Sequence, residues 1–290
     1  MLKLIFPVYI LLLFGNIKLA AQKLQLELIA ETKLNKDLFE TSGITSINSG
    51  KTFWTHNDGG NSAKIFEIDS SGNILRTVQI NNVKNIDWED IIYDNKNSIY
   101  IADIGNNSKK RDTLFLYKIK VNDILNQDAV DAEAYKIILN TKLSRQDFEA
   151  LIIKNDSIFL FSKNWTNGIS FHSQVFTFSL KNKITPLHFI KTLSVRNHFL
   201  PESQITSAAF DPIKDKVYLL SSTSIAVFRF SDLYASSKTK LKFLPLKILG
   251  QHEGIYFFEN RFVITQERNK TLKKEQTMQF YKLTLKKNLH

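Results

Sequence analysis

The chain has 290 residues, a formal net charge of +11, ten glycines, five prolines and no cysteine. The lack of cysteine excludes a disulfide framework and a lipid-modified cysteine, so stability has to come from a packed core. So few glycines and prolines beside 43% hydrophobic residues exclude a long disordered region. The basic residues are scattered, with local clusters only at Lys109 to Arg111, Lys238 to Lys242, Arg268 to Lys274 and Lys286 to Lys287. That distribution describes a solvated surface, and no nucleic-acid partner is expected.

Lys3, the apolar run Leu4 to Phe14 and the small residues Ala20-Ala21 before Gln22 have the layout of a secretory signal peptide cleaved after Ala21. The apolar run is too short to span a bilayer, and Asn16 and Lys18 interrupt its end, so no stable membrane insertion is expected. Residues 22–290 are expected to form one exported, monomeric domain, periplasmic or extracellular.

From residue 40 onward the chain repeats one plan: a polar cluster, a β-run, an Asp/Asn turn, a second β-run and a polar end. The copies begin at Glu40-Thr41-Ser42-Gly43-Ile44, Trp88-Glu89-Asp90-Ile91, Asp147-Phe148-Glu149-Ala150-Leu151, Ile205-Thr206-Ser207-Ala208 and His252-Glu253-Gly254-Ile255. Marked at Glu40, Glu89, Glu149, Thr206 and Glu253, they recur at propeller-blade periods. Two more strand-like runs follow each of the first four hairpins: Lys64 to Ile68 and Ile74 to Ile80, Leu114 to Ile119 and Ala132 to Leu139, Val175 to Leu180 and His188 to Leu193, Ile225 to Phe230 and Leu241 to Ile248. The fifth hairpin is followed by one, Met278 to Leu285, while Leu24 to Ala30 is a strand with no blade of its own. The pattern predicts an all-β propeller of five four-stranded blades, with the N-terminal strand closing the last blade. Six blades is the alternative, if Asn164 to Ser203 hides a degenerate repeat.

In a propeller the start of the first strand and the end of the second share one mouth of the central channel. Glu40, Glu89, Asp103, Glu149 and Glu253 are therefore expected there, with His56, Asn57, Asp58, Asn106, Asn107, Arg111, Lys163 and Trp165 around them. Carboxylates facing a narrow channel repel and need compensation. Either they accept backbone N–H bonds and lock neighbouring blades, or they hold a cation, for which an all-oxygen set without cysteine favours calcium. His56 or His252 beside a carboxylate has the chemistry of a general base. No Gly-x-Ser-x-Gly, phosphate-binding glycine loop or His-Glu-x-x-His is present.

At Glu40 to Ile44, Trp54-Thr55-His56-Asn57-Asp58-Gly59, Asp87-Trp88-Glu89-Asp90 and Ala102 to Asn107 with Arg111, the chain resembles a group of secreted bacterial β-propellers, mostly without assigned activity. More loosely it is similar to the calcium-bound propellers of the gluconolactonase and paraoxonase kind and to phytase-like propellers. That resemblance implies metal ligands at Glu40, Glu89, Asp103, Glu149 and Glu253. The chain departs from those propellers in carrying Thr206 in the fourth copy and in having five blades.

Together these readings describe a cation-bearing mouth that binds a small ligand and hydrolyses an ester or phosphoester. His56 or His252 would be the base, and Lys163 or Arg111 would hold the anion. The alternatives are a glycoside-cleaving propeller with two carboxylates and a non-enzymatic scaffold for protein or glycan.

Overall fold

The computed structural model describes residues 23–139, 146–163, 172–195, 204–269, 271 and 274–286. The proposed signal peptide and Trp165 lie outside the described residues. No helix among them is long and apolar enough to cross a membrane.

Five antiparallel sheets form the five blades of a propeller. Their inner strands, in chain order, are Thr41–Thr45, Trp88–Tyr93, Phe148–Lys154, Ser207–Asp211 and His252–Phe258. The second strands are Phe53–Asn57, Ser98–Asp103, Ser157–Ser162, Lys216–Leu220 and Arg261–Gln266. These two rows are buried along nearly their whole length, because each is sandwiched between neighbouring blades. They accordingly read as continuous apolar and aromatic runs rather than alternating ones. The turns between them place Asn95, Asn155, Asp215 and Asn260 in the left-handed region, which Asn and Asp tolerate best. Asp94 fixes its turn by accepting from the amides of Lys96, Asn97 and Ser98.

Among the described residues the apolar core falls into five clusters, one between each pair of adjacent blades. Trp54, Trp88 and Ile101 join the first two blades, and Phe148, Phe176 and Leu116 join the second and third. Short strands add a second link. Ala129–Val130 pairs in parallel with the outer strand of the first blade, and Ile184–Pro186 does so with that of the second.

The ring closes as the hairpin count predicts. Lys23–Lys33 pairs antiparallel with Thr277–Lys286 and becomes the outer strand of the fifth blade, with Lys23 opposite Lys286. Leu26 is buried there in the cluster that holds Tyr281 and Phe262.

At the axis the inner strands meet without a gap. A Cβ on Gly43 would lie 2.7 Å from the Ile91 nitrogen, and one on Gly254 would lie 2.8 Å from the Gly43 carbonyl carbon. Asp90 occupies the centre of this contact. Its carboxylate accepts from the Ile91 amide at 3.0 Å, the Leu151 amide at 3.2 Å and the Ser207 hydroxyl at 3.2 Å. Ser207 Oγ in turn accepts from the Ile255 amide at 3.2 Å. One carboxylate thus ties together blades two to five and closes the axis at this level.

Candidate functional site

Three of the predicted glutamates share a local cause for their position. Trp88 pairs with Asp103 and Asp90 with Ala102, so Glu89 is the extra residue of a β-bulge. Glu149 stands between the pairs Phe148–Ser162 and Ala150–Phe161, and Glu253 between His252–Gln266 and Gly254–Thr265. A bulge re-aims the side chain it carries. The fourth blade pairs in regular register from Ser207 to Leu220, and there the glutamate is replaced by Thr206.

In the first blade this register falls on Ser42, which precedes Gly43 as Glu89 precedes Asp90. Glu40 lies two residues earlier, in the register of Asp87 and Asp147. The backbone bonds that close each blade mark that row: Asp58 N to Glu40 O at 2.8 Å, Gly105 N to Asp87 O at 3.1 Å and Lys163 N to Asp147 O at 2.8 Å. The Glu40 carboxylate accepts from Asn61 Nδ2 at 2.8 Å.

Among the described residues two carboxylate trios result. Single oxygens from Asp58, Asp87 and Glu89 lie within 4.8 Å of one another, as do oxygens from Glu89, Asp147 and Glu149. Glu89 belongs to both. Asp87 and Glu89 flank the buried Trp88, and Asp147 and Glu149 flank the buried Phe148. Strand alternation turns the aromatic ring into the core and brings the acids together. Gly105 leaves the room they need, since a Cβ there would collide with Glu89 Oε1 and the Asp87 carboxylate.

The electrostatics follow from burial of like charges. Burial, reinforced by Glu149, Asp58 and Asp87, pushes the Glu89 carboxyl well above the usual range. Burial raises Glu149 to about 8 against the pull of Lys163, whose Nζ is 2.7 Å from Glu149 Oε1. Asp87 is raised to about 6 by burial and by Asp58 and Asp147. Asp58, Asp147 and Glu253 are also raised, in each case first by burial. Burial alone would lower the Lys163 ammonium, but Glu149, Glu253 and Glu89 hold it above its ordinary value.

Several expected residues are engaged elsewhere. The Asp103 carboxylate is held by Arg111 Nη1 at 2.8 Å, the Asp87 amide at 3.2 Å and the Tyr117 hydroxyl at 3.2 Å, and it is in neither trio. Arg111 also donates to the carbonyls of Gly105 and Asp103, so its guanidinium braces this loop. Asn106 staples the second blade to the third through its amide on Asp147 Oδ1 at 2.7 Å, and Asn107 is exposed. Asn57 braces the Asp37–Glu40 segment. His56 and His252 are fully buried, with Nδ1 against the carbonyls of Asn57 and Ser222. Burial lowers both to about 4, so they are neutral packing groups. Trp54 and Trp88 are fully buried and offer no stacking face.

Asp87 and Asp147 were not among the sequence candidates. Their signal is the recurring Asp-aromatic-Glu triplet in blades two and three. Beside the mouth lies a polar pocket of about 460 Å³ lined by Asn35, Asp37, Phe39, Asn57, Asn61 and Lys64, among others. Asn61 joins it to the acids, donating to Glu40 Oε2 and to the Asp58 carbonyl.

A family model described as SdiA-regulated matches residues 17–240. No curated protein matches the sequence. Among solved structures, a glutaminyl cyclase from Myxococcus xanthus is similar with a TM-score of 0.55 and 10% identity, over 91% of this chain and 98% of that one. A gluconolactonase from Xanthomonas campestris has a TM-score of 0.49 and 12% identity, over 84% and 72% of the two chains. The PQQ-bound aldose sugar dehydrogenase of Streptomyces coelicolor has a TM-score of 0.49 and 6% identity, over 90% and 99%. At these identities the likeness is one of fold, and function has to be argued from the site.

Proposed function

The chain belongs to the SdiA-regulated family, and from that premise and the geometry of its mouth we propose an exported propeller that holds a hard divalent cation, calcium by preference, and binds a small ester-like ligand over it. The observation that carries this reading is the pair of carboxylate trios sharing Glu89. Blade locking, the competing use for these acids, is performed at the axis by Asp90, which supports a different use for Glu89 beside it. The donor set fits the ion, because every group is a hard oxygen. Asp58, Asp87 and Glu89 would hold the cation, because Glu149 is already paired with Lys163.

When bound, such a cation supplies Lewis-acid polarisation of a carbonyl or phosphoryl oxygen. The chain's own residues set what can approach it. Carboxyl groups outnumber Lys163 at the mouth, and Arg111 is committed to Asp103, so a neutral ester or hydroxyl-rich ligand is favoured over a free anion. The polar pocket behind Asn61 gives such a ligand amide and ammonium groups to bond.

Thermal unfolding of residues 22–290 with calcium, magnesium or chelator tests the proposal. At saturating calcium the midpoint should rise by about 5 °C. The rise should disappear in Glu89→Gln. A folded protein that shifts with neither cation sinks the reading, and a calcium-dependent shift licenses a screen of carboxylic and phosphoric esters.

A further inference from the structure

The two trios are not equivalent. Asp58 and Asp87, which belong only to the first, are partly exposed, and the first trio opens toward solvent. Glu89, Asp147 and Glu149 in the second are all buried, at 5%, 1% and 2% exposure. A buried set of three carboxylates is a costly arrangement unless a cation is part of it. In the second trio a cation is present: the Lys163 ammonium, 2.7 Å from Glu149 Oε1 and facing Glu253 and Glu89 as well. Lys163 is also out of pattern. The backbone bond that aligns it with Asp147 aligns Asp58 with Glu40 and Glu267 with Gln251, so the same place carries an acid in the first and fifth blades and a base in the third. A separate observation points to a ligand in this trio. Asp147 is fixed through Oδ1 by the Asn106 amide, while among the described residues no amide, hydroxyl or ammonium group donates to its buried Oδ2, which leaves Glu149 as the neighbour of this carboxylate.

We propose that the mouth is built as two adjoining cation sites bridged by Glu89, and that Lys163 is a tethered cation filling the inner one. The chain would thus carry its second positive charge covalently and take up a single divalent ion in the outer site. This extends the function proposed above, because the outer site is the one assigned there to calcium. It makes Lys163 the residue that determines how many ions the mouth holds.

The test is metal stoichiometry, read by titration calorimetry with calcium and by native mass spectrometry with manganese, on wild type, Lys163→Met, Lys163→Arg and Asp147→Asn. One ion per chain is expected for wild type and Lys163→Arg, and two for Lys163→Met. Adding Asp147→Asn to Lys163→Met should return the count to one. Two manganese ions sharing Glu89 should also broaden each other's electron paramagnetic resonance signal. A folded Lys163→Met protein that still binds one ion overturns the inference and leaves the outer site standing. Conversely, no ion in wild type, with one in Lys163→Met that is lost on adding Asp147→Asn, supports the inner site and overturns the outer one. If Lys163→Met does not fold, the Asp147→Asn single variant decides. It should keep the wild-type ion with an affinity within about threefold, a difference below 1 kcal/mol, and loss of that ion overturns the proposal.

Discussion

Glu89 and Asp90 are adjacent in sequence and work on opposite sides of the same strand. Asp90 accepts from an amide of its own strand and from an amide and a hydroxyl on two others, so its carboxyl is tied into the ring although burial pushes it well above the usual range. Asp90→Ala leaves those donors buried and unsatisfied and should cost about 3 kcal/mol or more in chemical denaturation. Glu89→Gln should unfold within about 1 kcal/mol of wild type in chelator, because it removes a carboxyl that burial already disfavours as an anion. The mouth acids also fix a pH response. A carboxyl raised in the folded state binds its proton more tightly there than in the unfolded chain, so stability falls as pH rises between the two values. His56 and His252, lowered to about 4, act in the reverse sense below about 6.5. Between pH 6.5 and 8 the histidines are neutral in both states and Glu149, raised to about 8, sets the sign. The metal-free protein should therefore lose melting temperature across that window, and saturating calcium, held by the acids beside Glu149, should reduce the loss.

The bulge is the element that turns a repeat into a site. Strands were legible from short apolar and aromatic runs joined by Asp/Asn turns, and the glutamates from their recurrence. A one-residue bulge leaves no mark in composition, so the sequence could not say that Ser42, rather than Glu40, stands in register with Glu89. The same blindness concealed the burial of His56 and His252. Both sit at a strand end, which reads as a rim, but a neighbouring blade covers each. Arg111 likewise reads as a free cation, whereas the loop it follows folds back and consumes it. Gly105 belongs to this scale too, because its missing side chain is the space in which Asp87 and Glu89 meet. Gly105→Ala should cost the calcium-dependent rise in melting temperature, with far-ultraviolet circular dichroism unchanged. A variant that keeps the full rise would show that the acids do not need that space.

At the scale of the molecule, the closure between the two ends was legible because an unpaired strand and an incomplete blade are complementary facts. Removing residues 23–33 strips the outer strand from the fifth blade, uncovering Tyr281 and the buried cluster around it. That truncation should prevent cooperative unfolding and raise dye binding to exposed apolar surface. Joining the two ends by a short linker and reopening the chain in the Asp94–Asn97 turn should instead preserve the fold, because the paired ends already lie side by side. Six blades, the other count the repeat allowed, would have required a further strand set that the third blade does not contain among the described residues.

The bonds of Asp90 across the axis close the centre of the ring between the inner strands, so anything held at the mouth has no way out through the axis. Whatever enters last must leave first. In the function proposed above, a ligand seated over the cation shuts it in, so the ion should exchange more slowly when the ligand is present.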